Sequence, residues 1–170
     1  MVKILQMGEP VLREVCTPVA LDAIPHKLLK DLKEAVFSQP DGVAIAAPQI
    51  GTPVRVFYVA GSILKKVDEK KYSKEKDDMY FINPVITKKS RETQVLEEGC
   101  LSIRYLYGKV RRPKKITVRA YDENGVLFER GASGLLAQII QHENDHLDGV
   151  LFIDKAMDVE EILPEEQTNE

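Results

Sequence analysis

His142, Glu143 and His146 form the pattern H-E-x-x-H within the run QHENDHLDG at 141–149. Residues four apart on an α-helix lie one turn apart on the same face, so the two imidazoles can share one divalent ion. Glu143 directly follows the first of them. Beside an activated water, a carboxylate there can accept a proton and return it to a leaving amine. Each histidine taken alone has a simpler reading, as a hydrogen-bonded core residue. The chain has only three histidines, and two of them stand in this spacing around a glutamate, which favours a metal site.

Catalytic sites of this kind commonly use three protein ligands and leave one position open. The longer pattern H-E-x-x-H-x-x-G-x-x-H fails, because Gly149 is in place but Phe152 stands where the third histidine belongs. A downstream carboxylate would have to be Glu160, Glu161, Glu165 or Glu166, all in a polar tail interrupted by Pro164. Upstream, Cys100 follows Gly99, which permits close approach to the backbone. A thiolate there would complete a Cys/His/His set. Cys16, within VCTPV, reads as a small core residue.

Three segments taken together resemble the peptide deformylase family: GVAIAAPQIG at 42–51, EEGCLS at 97–102 and QHENDHLDG at 141–149. They are similar in order and spacing to the family motifs G-x-G-x-A-A-x-Q, E-G-C-L-S and Q-H-E-x-D-H-L-x-G, and the resemblance extends over residues 1 to about 155. It implies an α+β fold with antiparallel strands around a central helix bearing the metal motif. It also implies a metalloamidase that removes the N-formyl group from the formylmethionine of newly made polypeptides. Cys100, His142 and His146 would bind one divalent ion, natively Fe(II) with Ni, Co or Zn able to replace it. A metal-bound water or hydroxide would attack the formyl carbon, with Glu143 managing the proton.

The resemblance further implies that the Gln49 side-chain amide and the Leu101 backbone N–H stabilise the developing oxyanion. Fixed donors of that kind each contribute about 3 kcal/mol in comparable sites. The peptide would lie as an added strand along Gly42, Val43 and Ala44, with Gly99 nearby. Leu135 and Ile139 would line an apolar pocket for the methionine side chain, although core packing accounts for both equally well. Two positions depart from the family pattern. Ala44 replaces the second glycine of the first motif, which would be strained at positive φ. Arg104 stands where a proline usually follows, in the loop RYLYG at 104–108. The partners implied are formylmethionyl nascent peptides and a transient ribosome contact. The chain after residue 155 leaves little room for the long C-terminal helix by which some members dock. Two other readings use the same ligands: an amidase or peptidase of different specificity, and a non-catalytic metal protein. Glu143 and Gln49 argue against the second.

These residues need elements to hold them. The apolar spacing of Leu135, Leu136, Ile139, Ile140 and Leu147 predicts a buried helix over 132–147, with Ser133 as N-cap and Gly149 ending it. Leu28, Leu29, Leu32, Ala35 and Val36 predict a second helix over 22–39, with Pro25 in its first turn. Strands are predicted over 54–60, 80–87, 93–96, 116–121 and 126–129, the last two joined by a tight turn at Asn124-Gly125. The basic stretch KVRRPKK at 109–115 reads as a solvated strand edge. Residues 61–78 read as an exposed charged insertion, and 160–170 as a frayed tail.

Length and composition set the frame. With 170 residues, 44% hydrophobic and 30% charged, the chain is expected to form one catalytic domain with a core that needs no disulfide or structural metal. A net charge of −3 gives no general attraction to DNA or to an anionic membrane. Two distant cysteines, no signal-like start and no apolar run of about 18 residues point to a reducing, cytoplasmic setting.

Overall fold

The computed structural model describes residues 1–63 and 78–164. Helix α1 spans His26–Phe37, and strands β1 and β2 span Ala44–Ala46 and Val56–Val59. Strands β3 to β7 follow at Met79–Lys89, Thr93–Cys100, Ile103–Pro113, Lys115–Tyr121 and Leu127–Ser133. Helix α2 spans Gly134–Leu147, and β8 spans Met157–Glu161. Five strands make one antiparallel sheet in the order β1-β2-β3-β6-β7, and three make a second in the order β4-β5-β8.

Side-chain alternation on a strand lets the larger sheet serve two cores. Ile45, Val56, Tyr58 and Ile82 pack against Leu28, Leu29, Leu32 and Val36 of α1. Ala44, Phe57, Val59 and Phe81 pack against Leu136, Ala137, Ile139, Ile140 and Leu147 of α2. The phenyl rings of Phe57 and Phe81 stack at 4.6 Å. Each fully buried aliphatic side chain contributes about 1.5–3 kcal/mol of transfer free energy, so the two apolar faces hold both helices on the sheet. Beneath the smaller sheet, Leu12, Ile103, Val110, Leu151 and Phe152 form a third cluster. The antiparallel α+β expectation is met, with α2 against the larger sheet.

Several boundaries differ from the sequence reading. Helix α1 begins at His26 rather than residue 22: Leu21–Ala23 form a separate 3-10 turn, and Pro25 is the N-cap residue. Helix α2 begins at Gly134, with Ser133 at the N-cap position in extended conformation but making no side-chain capping bond. Gly149 has φ +70°, and a Cβ there would meet the Arg13 carbonyl oxygen at 2.5 Å, so both conformation and crowding demand glycine. In the β6–β7 turn only Gly125 takes positive φ. Asp122 supplies the rest of the turn, its Oδ1 accepting the N–H groups of Asn124 and Val126 at 2.9 Å.

The basic stretch is not a sheet edge. It lies in β5, the middle strand of the smaller sheet, and continues into β6. Arg112 points inward with Val110 and is buried. The segment assigned to a frayed tail is paired further than expected, since Glu160 and Glu161 sit opposite Tyr107 and Leu106. Of the charged insertion, 64–77 lie outside the described residues. At its described ends Ser62 is exposed while Ile63 is buried, and the Gly61 N–H donates to Asp78 Oδ1 at 3.0 Å.

Candidate functional site

The third and fourth turns of α2 face the sheet and the end of β4, which brings Cys100 to the two histidines. One donor atom from each of Cys100, His142 and His146 lies within 4.8 Å of the other two. Cys100 Sγ is 3.3 Å from His146 Nε2, and the two imidazoles sit edge to face with centroids 5.1 Å apart. One thiolate and two imidazoles match the preference of Fe(II), Co, Ni and Zn for mixed S/N donors. His146 is 1% exposed, and its Nδ1 has no hydrogen-bond partner among the described residues.

The ring of His142 is oriented from behind. Its Nδ1–H donates to Glu98 Oε2 at 2.9 Å, which leaves Nε2 for an ion. Glu98 is in turn clamped by Arg112, whose Nε donates to Oε1 and whose Nη2 donates to Oε2 at 2.9 Å. Arg112 Nη1 donates to Asp145 Oδ2 at 2.9 Å, and Lys155 Nζ donates to the same carboxylate. Burial alone would raise the Glu98 carboxyl, but the bonds from Arg112 and His142 hold it down at about 2. Burial works against the His142 imidazolium too, yet Cys100 and Glu98 lift it well above the ordinary value. His146, buried beside His142 and Arg112 with no such carboxylate contact, is pushed well below it.

Glu143 is 5% exposed and lines the same cavity, with Oε2 lacking a hydrogen-bond partner among the described residues. Burial drives its carboxyl up to about 7, against the opposing charge of His142. The Gln49 amide is fixed in one orientation. Oε1 accepts the Ala46 N–H at 2.8 Å, so Nε2 donates toward Ser102 Oγ at 3.0 Å and lies 3.6 Å from Cys100 Sγ. Leu101, next to Cys100, is buried at the cavity wall.

The cavity holds about 450 Å³. Val43, Ala44, Gly99, Leu135 and Ile139 line it, but Gly42 does not. A Cβ on Gly42 would meet the Val36 carbonyl oxygen at 2.3 Å, so this glycine serves the approach of the chain to α1. A Cβ on Gly99 would meet the Tyr107 ring at 2.8 Å, so Gly99 makes room for that ring. Leu135 leaves the core and is 42% exposed, whereas Ile139 is buried and belongs both to the core and to the cavity wall. Ala44 lies in β1 opposite Val59 and is not among the positive-φ residues, so the methyl group causes no backbone strain there.

Sequence reasoning passed over Glu98, Arg112 and Asp145 as a unit. The readable signal was alternation: Val110 and Arg112 are two apart and share the inward face of one strand. An arginine on such a face needs a buried acid, and Glu98 stands two residues before Cys100.

The polypeptide deformylase family model matches residues 1–161. The peptide deformylase of Rhizobium meliloti (strain 1021) is 44% identical over 149 residues, covering 87% of this chain and 80% of that protein. The crystal structure of peptide deformylase from Thermotoga maritima superposes with a TM-score of 0.78 at 35% identity, covering 92% of this chain and 98% of that one. The Met-Ala-Ser-bound class I type b peptide deformylase from Acinetobacter baumannii gives a TM-score of 0.79 at 30% identity, covering 91% and 98%. The chain therefore belongs to the polypeptide deformylase family, hydrolases of a linear amide bond.

Proposed function

We propose that this chain, as one catalytic domain, removes the N-formyl group from the formylmethionine of newly made polypeptides. The observation that carries the proposal is the convergence of Cys100, His142 and His146 within 4.8 Å, beside the buried carboxyl of Glu143. A divalent ion held by these three side chains, Fe(II) or Ni, Co or Zn in its place, would supply Lewis acidity toward a water and the formyl oxygen.

The chain's own residues supply the rest. Glu143 takes the proton released as water adds to the formyl carbon and delivers it to the departing amine nitrogen. The Gln49 Nε2–H and the Leu101 N–H meet the oxygen on which charge develops. The peptide backbone extends along Val43 and Ala44, at the start of β1, an edge strand of its sheet. Leu135 and Ile139 give the methionine side chain an apolar wall. Met-Ala-Ser, the tripeptide in the similar Acinetobacter structure, is what such a reaction would leave from its formylated form.

The setting proposed is a reducing cytoplasm, where both free thiols persist and ribosomal products are within reach. Among the described residues, no helix is long and apolar enough to cross a membrane. The test compares formyl-Met, acetyl-Met and unblocked peptides under one set of conditions. Turnover of the formyl peptide alone is the expected result. Equal or better cleavage of the acetyl or unblocked peptide would replace the reading with an amidase of different specificity.

A further inference from the structure

One side chain ties together two chain segments at the wall of the cavity. Arg104, near the start of β5, donates from Nη1 to Asp41 Oδ2 at 2.8 Å and from Nη2 to Gln39 Oε1 at 2.5 Å. Both acceptors belong to the turn between α1 and β1, more than 60 residues away in sequence. Arg104 and Asp41 line the cavity, together with Val43 and Ala44 just beyond that turn. A planar guanidinium that engages two acceptors fixes the direction of both, which an ammonium on a flexible stem does not.

The next residue carries a second sign of constraint. Tyr105 has φ +68°, a conformation that costs a bulky residue free energy and persists only when the surroundings hold it. Its carbonyl accepts the Ile162 N–H at 2.8 Å. Tyr105 is 41% exposed and lines the cavity beside Arg104. The Arg104 side chain is 28% exposed and that of Asp41 57%, and partly solvated pairs of this kind add little to stability. What the pair does fix is the position of the Asp41–Val43 segment relative to β5.

The geometry points to Arg104 as a specificity-determining positioning residue. By clamping the turn before β1 against β5, it sets the width of the mouth through which a peptide continues past its first residue. The inference rests on the deformylase reading and adds what the active-site residues do not decide, selectivity for formyl peptides of three or more residues over formylmethionine itself. The clamp also occupies Asp41. Without Arg104, that carboxylate and Glu97 would both face an incoming chain.

The test uses the metal-loaded full chain and Arg104→Ala, Arg104→Lys and Asp41→Asn, with formyl-Met-Ala-Ser and formylmethionine as substrates. The readout is the ratio of kcat/KM for the tripeptide to that for the single residue. In Arg104→Ala this ratio should fall about fivefold, the scale of one lost exposed charge-assisted contact, with the change in KM rather than kcat. Arg104→Lys should recover only part of the loss, and Asp41→Asn should move the ratio the same way as Arg104→Ala. An unchanged ratio in Arg104→Ala and Asp41→Asn, or an equal loss on both substrates, would overturn the inference while leaving the deformylase reading intact. A metal-loaded wild-type protein that hydrolyses neither substrate would overturn both. Should Arg104→Ala not fold, the Lys and Asn variants decide the matter by the same ratio.

Discussion

The Glu98 carboxylate stands between the Nδ1–H of His142 and the guanidinium of Arg112, and binds both from a position almost wholly removed from water. The side chain that aims the imidazole is thus itself aimed by a buried cation. This relationship joins the chemistry of α2 to the smaller sheet, because Glu98 lies on β4 and Arg112 on β5.

Removing Arg112 should therefore cost more than a surface arginine would. In Arg112→Met the carboxylates of Glu98 and Asp145 lose their buried partner. Unfolding free energy of the metal-free protein should drop by about 3–5 kcal/mol, read from urea titrations. A loss below about 1 kcal/mol would mean that His142 and Lys155 alone satisfy the two acids.

Gln49→Glu separates the two ends of the amide. The Ala46 N–H can still be accepted, but the donor directed toward Ser102 and Cys100 is gone. With the fold intact by circular dichroism, kcat should fall about 100-fold or more. Activity within a few-fold of wild type would remove Gln49 from oxyanion stabilisation.

Glu143→Ala should lower kcat by about 1000-fold while the bound metal stays, because in the proposed reaction the carboxylate moves a proton and does not hold the ion. Metal analysis on the purified variant decides this. Loss of the ion would make Glu143 a ligand.

Cys16 offers a pH test away from the centre. It is 4% exposed, and burial pushes its thiol up to about 11. Its folded pKa is above the unfolded one, so its contribution to stability is complete below about 9 and is lost as pH rises toward about 11. The fall in stability over that window should be smaller in Cys16→Ala. Equal slopes would show that the thiol ionises alike in folded and unfolded chains.

The legible parts of the sequence were those where local spacing and local chemistry coincide. Helix α2 announces itself through Leu136, Ile139, Ile140 and Leu147 at helical spacing, with H-E-x-x-H on the same element. The Arg112–Glu98 pair showed only as the alternation of Val110 and Arg112, because its meaning depends on β5 being the middle strand between β4 and β8. A run such as KVRRPKK looks solvated until the partner of each charge is known. The pairing of β8 was hidden for a related reason. Met157–Glu161 has exposed side chains throughout, so its backbone bonds to β5 leave no apolar pattern. Leu135 and Ile139 looked equivalent as neighbours one helical turn apart, yet only Ile139 reaches the core.

The most direct test of the central claim is formate release from a formyl-Met tripeptide by anaerobically purified protein, with metal content measured on the same sample. The account predicts rapid release with about one ion per chain, both lowered together in Cys100→Ser. Full metal occupancy with no formate would contradict the proposed substrate. Full activity without any metal, or with metal content untouched by Cys100→Ser, would contradict the ligand set.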